Sequence, residues 1–486
     1  MMASETAHAS ATAPSKRSTI NAVLGRLDAW RASLLRLEFK FVPSENQRLF
    51  ALTLVVGVVC GLVAVAFHAS IRLLAREGIE RAEDAFGFAR AATLIGLPTL
   101  GGLVCGALLE YVFPAARGSG IPQVKVAYSS PGGQVRLRDA IGKFVVGSLQ
   151  IGSGASLGRE GPTVQICAGI STSLGRAAGL ARRNLTRLLP VGAAAGIAAA
   201  FNAPIAAVTF TIEEVVGTLD QTVLSSVVIA AALAAYVERA ILGVPPVFDV
   251  PGTYGLNDAR SLLLYGAMGL AAAGVSVLFT DLLLGVRQRS KEWAAIPLWA
   301  RPAIGGFVTG VVAAAVIGLF GAKGVTGGGY PTLAQALVGK LPVVAMVVLL
   351  FAKLIATAFS YGSGGAGGIF APALFMGGML GGVFGALDVG LLHSSPQSLG
   401  SFALVGMGAV FAGVIRAPIT SVLIIIEMTG GYGLILPLMI ANMISYGLAR
   451  RFRPTPIYEV LLNRMASRFG TIDCRTASRK SGSATP

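Results

Sequence analysis

The chain has 486 residues, of which 54% are hydrophobic and 13% charged, whereas about 25% of the residues of a soluble globular protein are charged. Lysine and arginine together number 39 against 23 aspartates and glutamates, which gives a formal net charge of +16 at pH 7. This composition excludes a soluble enzyme, a disordered scaffold and a disulfide-stapled secreted domain, and it predicts a polytopic membrane protein.

Residues 1–46 are predicted to form a cytoplasmic segment that contains a basic amphipathic helix. Within residues 20–40, leucines and a tryptophan are interspersed with arginines and a lysine, which is typical of a helix that lies along a membrane surface. Basic residues also cluster at the C-terminal end of the apolar region. The positive-inside rule therefore predicts that both termini are cytoplasmic and that the chain crosses the cell (inner) membrane several times. Because this rule also accounts for the positive charge, we expect no nucleic-acid partner.

An internal repeat organises the apolar region. Lys143 and Pro162 have counterparts 210 positions later, Lys353 and Pro372, and the segment that contains Glu213 recurs at an offset of 214. Such self-similarity indicates a duplication. Uncharged stretches about long enough to cross a bilayer lie in both copies, at residues 49–70, 188–212, 262–280, 354–387 and 429–449. We predict a first membrane repeat at residues 47–245, a linker and second membrane repeat at 246–450, and a C-terminal helix with a short cytoplasmic tail at 451–486.

Glycine-rich strings at residues 152–161 and 362–368 interrupt the apolar pattern of each repeat. Each glycine costs a helix interior about 1 kcal/mol relative to alanine, and non-helical backbone survives in a membrane only where protein or water satisfies it. Close packing of continuous helices through small residues remains the alternative for a single glycine. An odd number of crossings in each half would invert one half relative to the other. The predicted fold is all-α: two inverted-topology helical repeats whose broken helices meet at a midplane anion site.

Three strings combine glycine with proline in a way that favours the start of a helix: residues 118–122, 158–162 and 367–372. Proline suits the first turn of a helix, and the unpaired N–H groups there carry a partial positive charge of about half a unit. Several such ends that converge would bind an anion through partial charges alone. Ser119, in the first string, would add a hydroxyl donor.

Glu160 is the candidate functional carboxylate of the second string. It lies between Arg159 and Gly161 in apolar sequence, where an ionised carboxylate is expensive and usually functional. Its counterpart in the second repeat is Phe370, so the repeat itself does not require an acid here. The alternative for Glu160 is a structural ion pair with Arg159. For Arg159 itself, we expect an ion-pair or helix-anchoring role.

Glu213 and Glu214 are adjacent but are assigned different roles. Glu213 has a glutamate counterpart, Glu427, which favours a structural role shared by both repeats. Glu214 corresponds to Met428, so we interpret it as a proton relay.

The sequence resembles the chloride channel/transporter (CLC) family over about residues 45–465. The resemblance rests on the order of several short strings along a duplicated apolar chain: GSGIP at 118–122, GREGP at 158–162, FNAP at 201–204, IEE at 212–214, GGIFAP at 367–372, GMGA at 406–409, RAP at 416–418, EMT at 427–429 and PIY at 456–458.

The resemblance implies a role for each matching residue. Glu160 would be the gating and proton-coupling glutamate, and Glu214 would be the inner proton-transfer glutamate. The hydroxyls of Ser119 and Tyr458 and the amides of Ile369 and Phe370 would bind a central chloride. The remaining expected anion-binding residues lie in the same strings: Gly120, Ile121, Arg159 and Gly161.

The implied protein is a bacterial-type exchanger of chloride for protons, a homodimer in the lipid bilayer with one pathway per subunit. Too few residues follow Met465 for the paired cytosolic nucleotide-sensing (CBS) domains of many eukaryotic members. Gln123 and Lys125 replace two glutamates of well-studied bacterial exchangers, while Ser119 favours chloride over fluoride or nitrate. A passive channel of the same fold is the alternative function. A membrane-embedded hydrolase built on the G-x-S-x-G pattern around Ser156 is a more distant one. We expect no catalytic residue, no metal site and no cofactor.

Overall fold

The computed structural model describes residues 45–130, 133–217, 221–243, 248, 254–255 and 258–469. Regular structure in this part of the chain is helical, and the only β-type pairing in it is one isolated bridge. The expected amphipathic helix at residues 20–40 lies outside the described residues. Ten helices are long and apolar enough to span a membrane within the residues described.

The first repeat contains nine α-helices in its described part. A π-helical turn, Arg76–Glu80, joins the first two, and another, Thr211–Val216, continues the eighth. The α-helices are α1 (Glu45–Ala75), α2 (Arg81–Asp84), α3 (Gly87–Tyr111), α4 (Ile121–Ser129), α5 (Leu137–Gly152), α6 (Glu160–Ala177), α7 (Arg182–Phe201), α8 (Pro204–Phe210) and α9 (Gln221–Leu242).

Apart from the four-residue α2, which has no counterpart among the described residues, the second repeat follows the same order of long and short helices, and α18 comes after it without a counterpart. These helices are α10 (Ser261–Glu292), α11 (Arg301–Phe320), α12 (Tyr330–Leu337), α13 (Val343–Gly362), α14 (Phe370–Leu392), α15 (Ser398–Ile415), α16 (Pro418–Thr429), α17 (Ile435–Phe452) and α18 (Ile457–Phe469). The short helix α4 thus corresponds to α12, and α6 corresponds to α14. This order confirms the duplication predicted from the sequence.

Equivalent residues of the two repeats pair with each other at the centre of the molecule. Gly158 and Gly368, which are 210 positions apart, form the isolated antiparallel bridge. Each donates its backbone N–H to the other's carbonyl, at N···O distances of 2.8 and 2.7 Å. A reciprocal contact of this kind is what a two-fold axis between the repeats produces.

Glu213 and Glu427 also exchange equivalent contacts between the repeats. The carboxylate of Glu427 accepts the backbone N–H groups of Ile205 and Ala206 at 3.0 and 2.7 Å, at the start of α8. In return, Glu213 accepts the N–H of Thr420 at 2.9 Å, at the start of α16, and its Oγ1 at 2.5 Å. Each glutamate therefore caps the helix of the other repeat, which confirms the structural role predicted for Glu213.

Helices α6 and α14 both begin after an irregular segment, as the glycine-rich strings predict. Protein groups satisfy that backbone: the N–H of Ala366 donates to Gln150 Oε1 at 2.8 Å, and the N–H of Ser156 to Ser360 Oγ at 3.1 Å. The Ser156 hydroxyl itself shares a 2.9 Å hydrogen bond with Thr357 Oγ1. Ser156 thus joins the two repeats, and its hydroxyl bonds to a threonine and not to the histidine that a hydrolase would need.

Two fully buried lysines, Lys143 and Lys353, stabilise the loops that precede the short helices. Lys143 Nζ donates to the carbonyls of Ala116, at 2.9 Å, and Gly118. Lys353 Nζ donates to carbonyls of the equivalent loop, including Gly327 at 2.7 Å. These bonds fix the irregular backbone from which α4 and α12 begin.

Candidate anion and proton site

The three glycine–proline strings meet at the centre of the molecule because their glycines allow the backbones to touch. A Cβ atom on Gly120 would lie 2.4 Å from the carbonyl oxygen of Gly161, and one on Gly161 would lie 2.5 Å from that of Ser119. The same Cβ on Gly161 would lie 3.3 Å from the Cα of Gly368. The N-terminal ends of α4, α6 and α14 are therefore brought together, as the convergence argument requires.

Ser119 and Tyr458 place two hydroxyls at this junction. Both residues are fully buried, and the two side chains are close enough to interact. Among the described residues, however, neither hydroxyl has a hydrogen-bond partner of good geometry. A buried polar group without a partner is costly. Two such groups side by side, next to helix N-termini, fit a bound anion as their missing partner.

Phe370 supplies the apolar wall of the site. Its ring centroid lies 5.0 Å from that of Phe411, 5.2 Å from that of Phe210 and 6.2 Å from that of Phe201. The Tyr458 ring is also 6.2 Å away. This packing fixes the first turn of α14, whose leading N–H groups have no intrahelical acceptor.

Gln123 takes up one of the expected anion donors. The backbone N–H of Gly120 donates to Gln123 Oε1 at 3.0 Å, and the Gln123 side-chain amide donates to the Arg117 carbonyl. The Gly120 amide is therefore not a free donor in this structure. Gln123 thus fixes the loop that carries Ser119 by bonding to the backbone at both Gly120 and Arg117.

Glu160 is the first residue of α6 and is fully buried. Its Oε1 accepts a hydrogen bond from the Tyr330 hydroxyl at 2.6 Å, while its Oε2 has no partner among the described residues. No ion pair joins it to Arg159 in that part of the chain. The alternative of a Glu160–Arg159 ion pair is therefore wrong.

Arg159 instead contacts two other elements. Its Nη2 donates to the Ala200 carbonyl at 3.2 Å, near the end of α7. Its guanidinium also lies over the Tyr330 ring, 5.7 Å from the centroid. These contacts fit the helix-anchoring role, and the anion-binding role of Arg159 stays a prediction.

Glu214 is buried and forms an ion pair with Lys125, whose Nζ lies 2.8 Å from Glu214 Oε1. The Lys125 side chain is 27% exposed, so the pair connects a buried carboxylate with the surface. The Tyr458 hydroxyl is close enough to interact electrostatically with both Glu160 and Glu214.

The residue that the sequence analysis missed is Tyr330. A signal for it exists, because the string Gly327-Gly328-Gly329-Tyr330-Pro331 is the counterpart of GSGIP at an offset of 209. Tyr330 follows Gly329, whose φ of +80° favours glycine. It begins α12 in the way that Ile121 begins α4. The second repeat thus supplies a phenol to the carboxylate of the first.

Comparisons with known proteins identify the family of the chain. The sequence model of the family described as voltage gated chloride channel matches residues 101–450. The H(+)/Cl(-) exchange transporter ClcA of Vibrio campbellii is 34% identical over 431 residues, which cover 87% of this chain and 90% of that protein. The transporter of the same name from Citrobacter koseri is 32% identical, with coverage of 84% and 87%.

Solved structures are similar over the same region. A slow cyanobacterial Cl-/H+ antiporter superposes with a TM-score of 0.79 at 26% identity, and the match covers 87% of this chain and 99% of that one. A CLC-type fluoride/proton antiporter has a TM-score of 0.70 at 22% identity, with coverage of 85% and 96%. At that lower identity the likeness concerns the fold alone.

Proposed function

The chain belongs to the CLC family of voltage-gated chloride channels and transporters, and on that premise we propose how its residues exchange chloride for protons. The protein is a membrane-embedded secondary active transporter of the exchanger type, as its similarity to proton/chloride exchangers over most of its length indicates. The observation that carries the mechanism is a buried carboxylate, Glu160, near two buried hydroxyls that lack a partner.

We propose that chloride binds where these hydroxyls meet the helix N-termini. Ser119 and Tyr458 donate their hydroxyl hydrogens to the anion, and the leading amides of α14, those of Ile369 and Phe370, face it. Dipoles and hydroxyls bind an anion moderately, so chloride can leave again. The neighbouring helix ends contribute their partial positive charge through Ile121, Gly161 and Arg159. The Gly120 amide does not take part, because it is already bonded to Gln123.

Glu160 couples protons to this movement in the proposal. An ionised carboxylate carries the charge of chloride and competes for its position. Protonation removes the charge and leaves the position to chloride, so each proton bound or released at Glu160 accompanies the movement of an anion. Phe370, the counterpart of Glu160 in the second repeat, cannot ionise. Of these two equivalent positions, only that of Glu160 can therefore act as a gate that depends on protonation.

Glu214 and Lys125 form the proposed inner end of the proton path. Lys125 compensates the charge of Glu214 when the carboxylate is ionised, because the two groups are 2.8 Å apart. The proposal places Tyr458 on the path between Glu214 and Glu160, because its hydroxyl is within electrostatic range of both carboxylates. In this scheme the ions are the substrates, and no cofactor, metal or covalent chemistry takes part.

The proposal includes an assembly and an orientation. We propose a homodimer in the inner membrane, with a complete pathway in each subunit and both termini in the cytoplasm. Cross-linking of the purified protein in lipid, followed by mass determination, tests the dimer.

The experiment that tests the function is a paired recording of chloride and pH from reconstituted vesicles. An outward chloride gradient is expected to drive protons inward against their own gradient. Glu160→Gln, which removes the titrating group and keeps its shape, should abolish the uphill proton movement while chloride movement continues. If the unmodified protein moves chloride without moving protons uphill, it is a passive channel and the exchange mechanism is wrong.

A further inference from the structure

We propose that Tyr330 is a positioning residue for Glu160: its hydroxyl holds the ionised carboxylate away from the chloride position. The inference rests on the proposed gating role of Glu160. It assigns to the second repeat a part in gating that no matching family string indicated. It also makes the closed and open positions of Glu160 depend on one hydrogen bond.

The hydrogen bond between Tyr330 and Glu160 is the first observation that supports the proposal. The distance of 2.6 Å between Tyr330 Oη and Glu160 Oε1 is in the range of a hydroxyl that donates to an ionised carboxylate. Glu160 makes no hydrogen bond to Ser119 or Tyr458, whose hydroxyls are without a partner of good geometry among the described residues. In this structure the carboxylate is therefore bound by the phenol and not at the hydroxyl pair.

The surroundings of Tyr330 show that its ring is held in place for this contact. The Arg159 guanidinium lies 5.7 Å from the ring centroid on one side, and the Phe248 ring lies 6.0 Å away. A Cβ atom on Gly328 would come within 3.1 Å of the ring, so the glycine leaves room for it. The ring has two separate side-chain contacts, and the hydroxyl donates to one acceptor, Glu160.

A hydrogen bond to a charged group favours the bonded state by about tenfold or more. Without the phenol, the ionised carboxylate loses its donor outside the pathway. Among the described residues, the buried donors without a partner around the site include the Ser119 and Tyr458 hydroxyls of the chloride position and Nε of the adjacent Arg159. Loss of the hydroxyl should therefore increase the time that ionised Glu160 spends blocking chloride, and it should have no such effect when Glu160 is protonated.

Other titratable groups face this contact and belong to its electrostatics. Arg159 is on the same helix end, and Tyr458 on α18 interacts with Glu160. His68 and Glu238 interact with Arg159 in turn, and Lys353 bonds to the carbonyls of the loop that leads to Tyr330. None of these groups is altered when the Tyr330 hydroxyl alone is removed, so the test isolates that hydroxyl.

The test compares Tyr330→Phe with the unmodified protein in vesicles at pH 7.5 and pH 4.5, each with Glu160 and with Glu160→Gln. The substitution removes one oxygen and keeps the ring contacts with Arg159 and Phe248. We expect chloride transport by Tyr330→Phe to fall by about tenfold at pH 7.5 and to stay within about twofold of the unmodified protein at pH 4.5. In the Glu160→Gln background, Tyr330→Phe should change nothing at either pH.

Tyr265→Phe serves as the matched control, because Tyr265 is also buried and stacks on Phe402 with ring centroids 3.9 Å apart, in a different part of the molecule. It should keep the pH profile of the unmodified protein. The proposal is overturned if Tyr330→Phe leaves transport unchanged, raises it, or lowers it equally at both pH values or in both backgrounds. Uphill proton movement by the unmodified protein, measured in the same vesicles, tests the exchange function independently of Tyr330.

Discussion

Substitutions of the adjacent residues Glu213 and Glu214 should impair different properties of the protein. Loss of Glu213, which caps a helix, should lower stability, whereas loss of Glu214, the proposed proton relay, should stop proton transport. Glu213→Ala removes the acceptor of the Thr420 N–H and hydroxyl at 2.9 and 2.5 Å and of the Ile419 N–H at 3.3 Å. Its equivalent, Glu427→Ala, removes the acceptor of two N–H groups.

The expected loss of stability follows from these bonds. A hydrogen bond to a charged group contributes about 1.5–3 kcal/mol, and loss of a helix cap costs about 0.5–2 kcal/mol. Both carboxylates are only partly buried, so the lower part of each range applies. We expect a cost of about 2–4 kcal/mol for each alanine variant, which corresponds to a decrease of roughly 5 °C in the melting temperature.

The assay is thermal unfolding in detergent, followed by transport measurements on the same preparations. Glu213→Ala and Glu427→Ala should melt earlier by similar amounts and still couple chloride to protons once reconstituted. Glu214→Gln should melt like the unmodified protein and lose proton transport. A Glu213→Ala protein with unchanged melting temperature and no proton coupling would refute the assignment of the two glutamates.

Three further predictions concern the site. Ser119→Ala should weaken chloride binding by about tenfold in calorimetry, because a buried donor to a charged ligand is lost. The control is Ser171→Ala, which should leave the affinity unchanged, since the Ser171 hydroxyl is bonded to one carbonyl of α6 and one of α7. Lys125→Met should slow proton transport by about tenfold in paired electrode recordings while chloride still moves, because ionised Glu214 loses the charged donor that lies 2.8 Å from its carboxylate. Lys125→Arg should retain coupling. Gly120→Ala should lower the melting temperature more than Gly179→Ala. Both glycines have a positive φ, but only a Cβ on Gly120 would lie within 2.4 Å of another backbone atom, the carbonyl oxygen of Gly161. Equal effects would mean that this close contact does not contribute to stability.

The repeat explains why so much of this architecture could be predicted from the sequence. Duplicated residues are recognisable by offset alone, so the pairing of Glu213 with Glu427 separated a structural acid from Glu214, which has no acidic counterpart. The same offsets identified the glycine strings whose backbones meet at the centre. Glycine and proline indicate where a helix breaks or begins, and this depends on neighbouring residues that can be read directly from the sequence.

Contacts between distant segments were not accessible in this way. Tyr330 lies 170 positions from Glu160, and Lys125 lies 89 positions from Glu214. The offset of 209 marks Tyr330 as the first residue of a helix, but no spacing marks Tyr330 or Lys125 as the partner of a carboxylate, because a phenol or an amine can meet a carboxylate from any element that the fold brings near. The reciprocal caps were predicted as structural, but their exchange between the repeats depends on a two-fold axis that only the folded chain displays.

The bridge between Gly158 and Gly368 restricts how this transporter can work mechanically. It fastens the backbone in front of α6 to the backbone in front of α14 at the hub of the molecule. The halves therefore cannot swing apart there without breaking both bonds at once. Rotation of the Glu160 side chain leaves both bonds intact, so it is a less costly change at this point than a separation of the two halves.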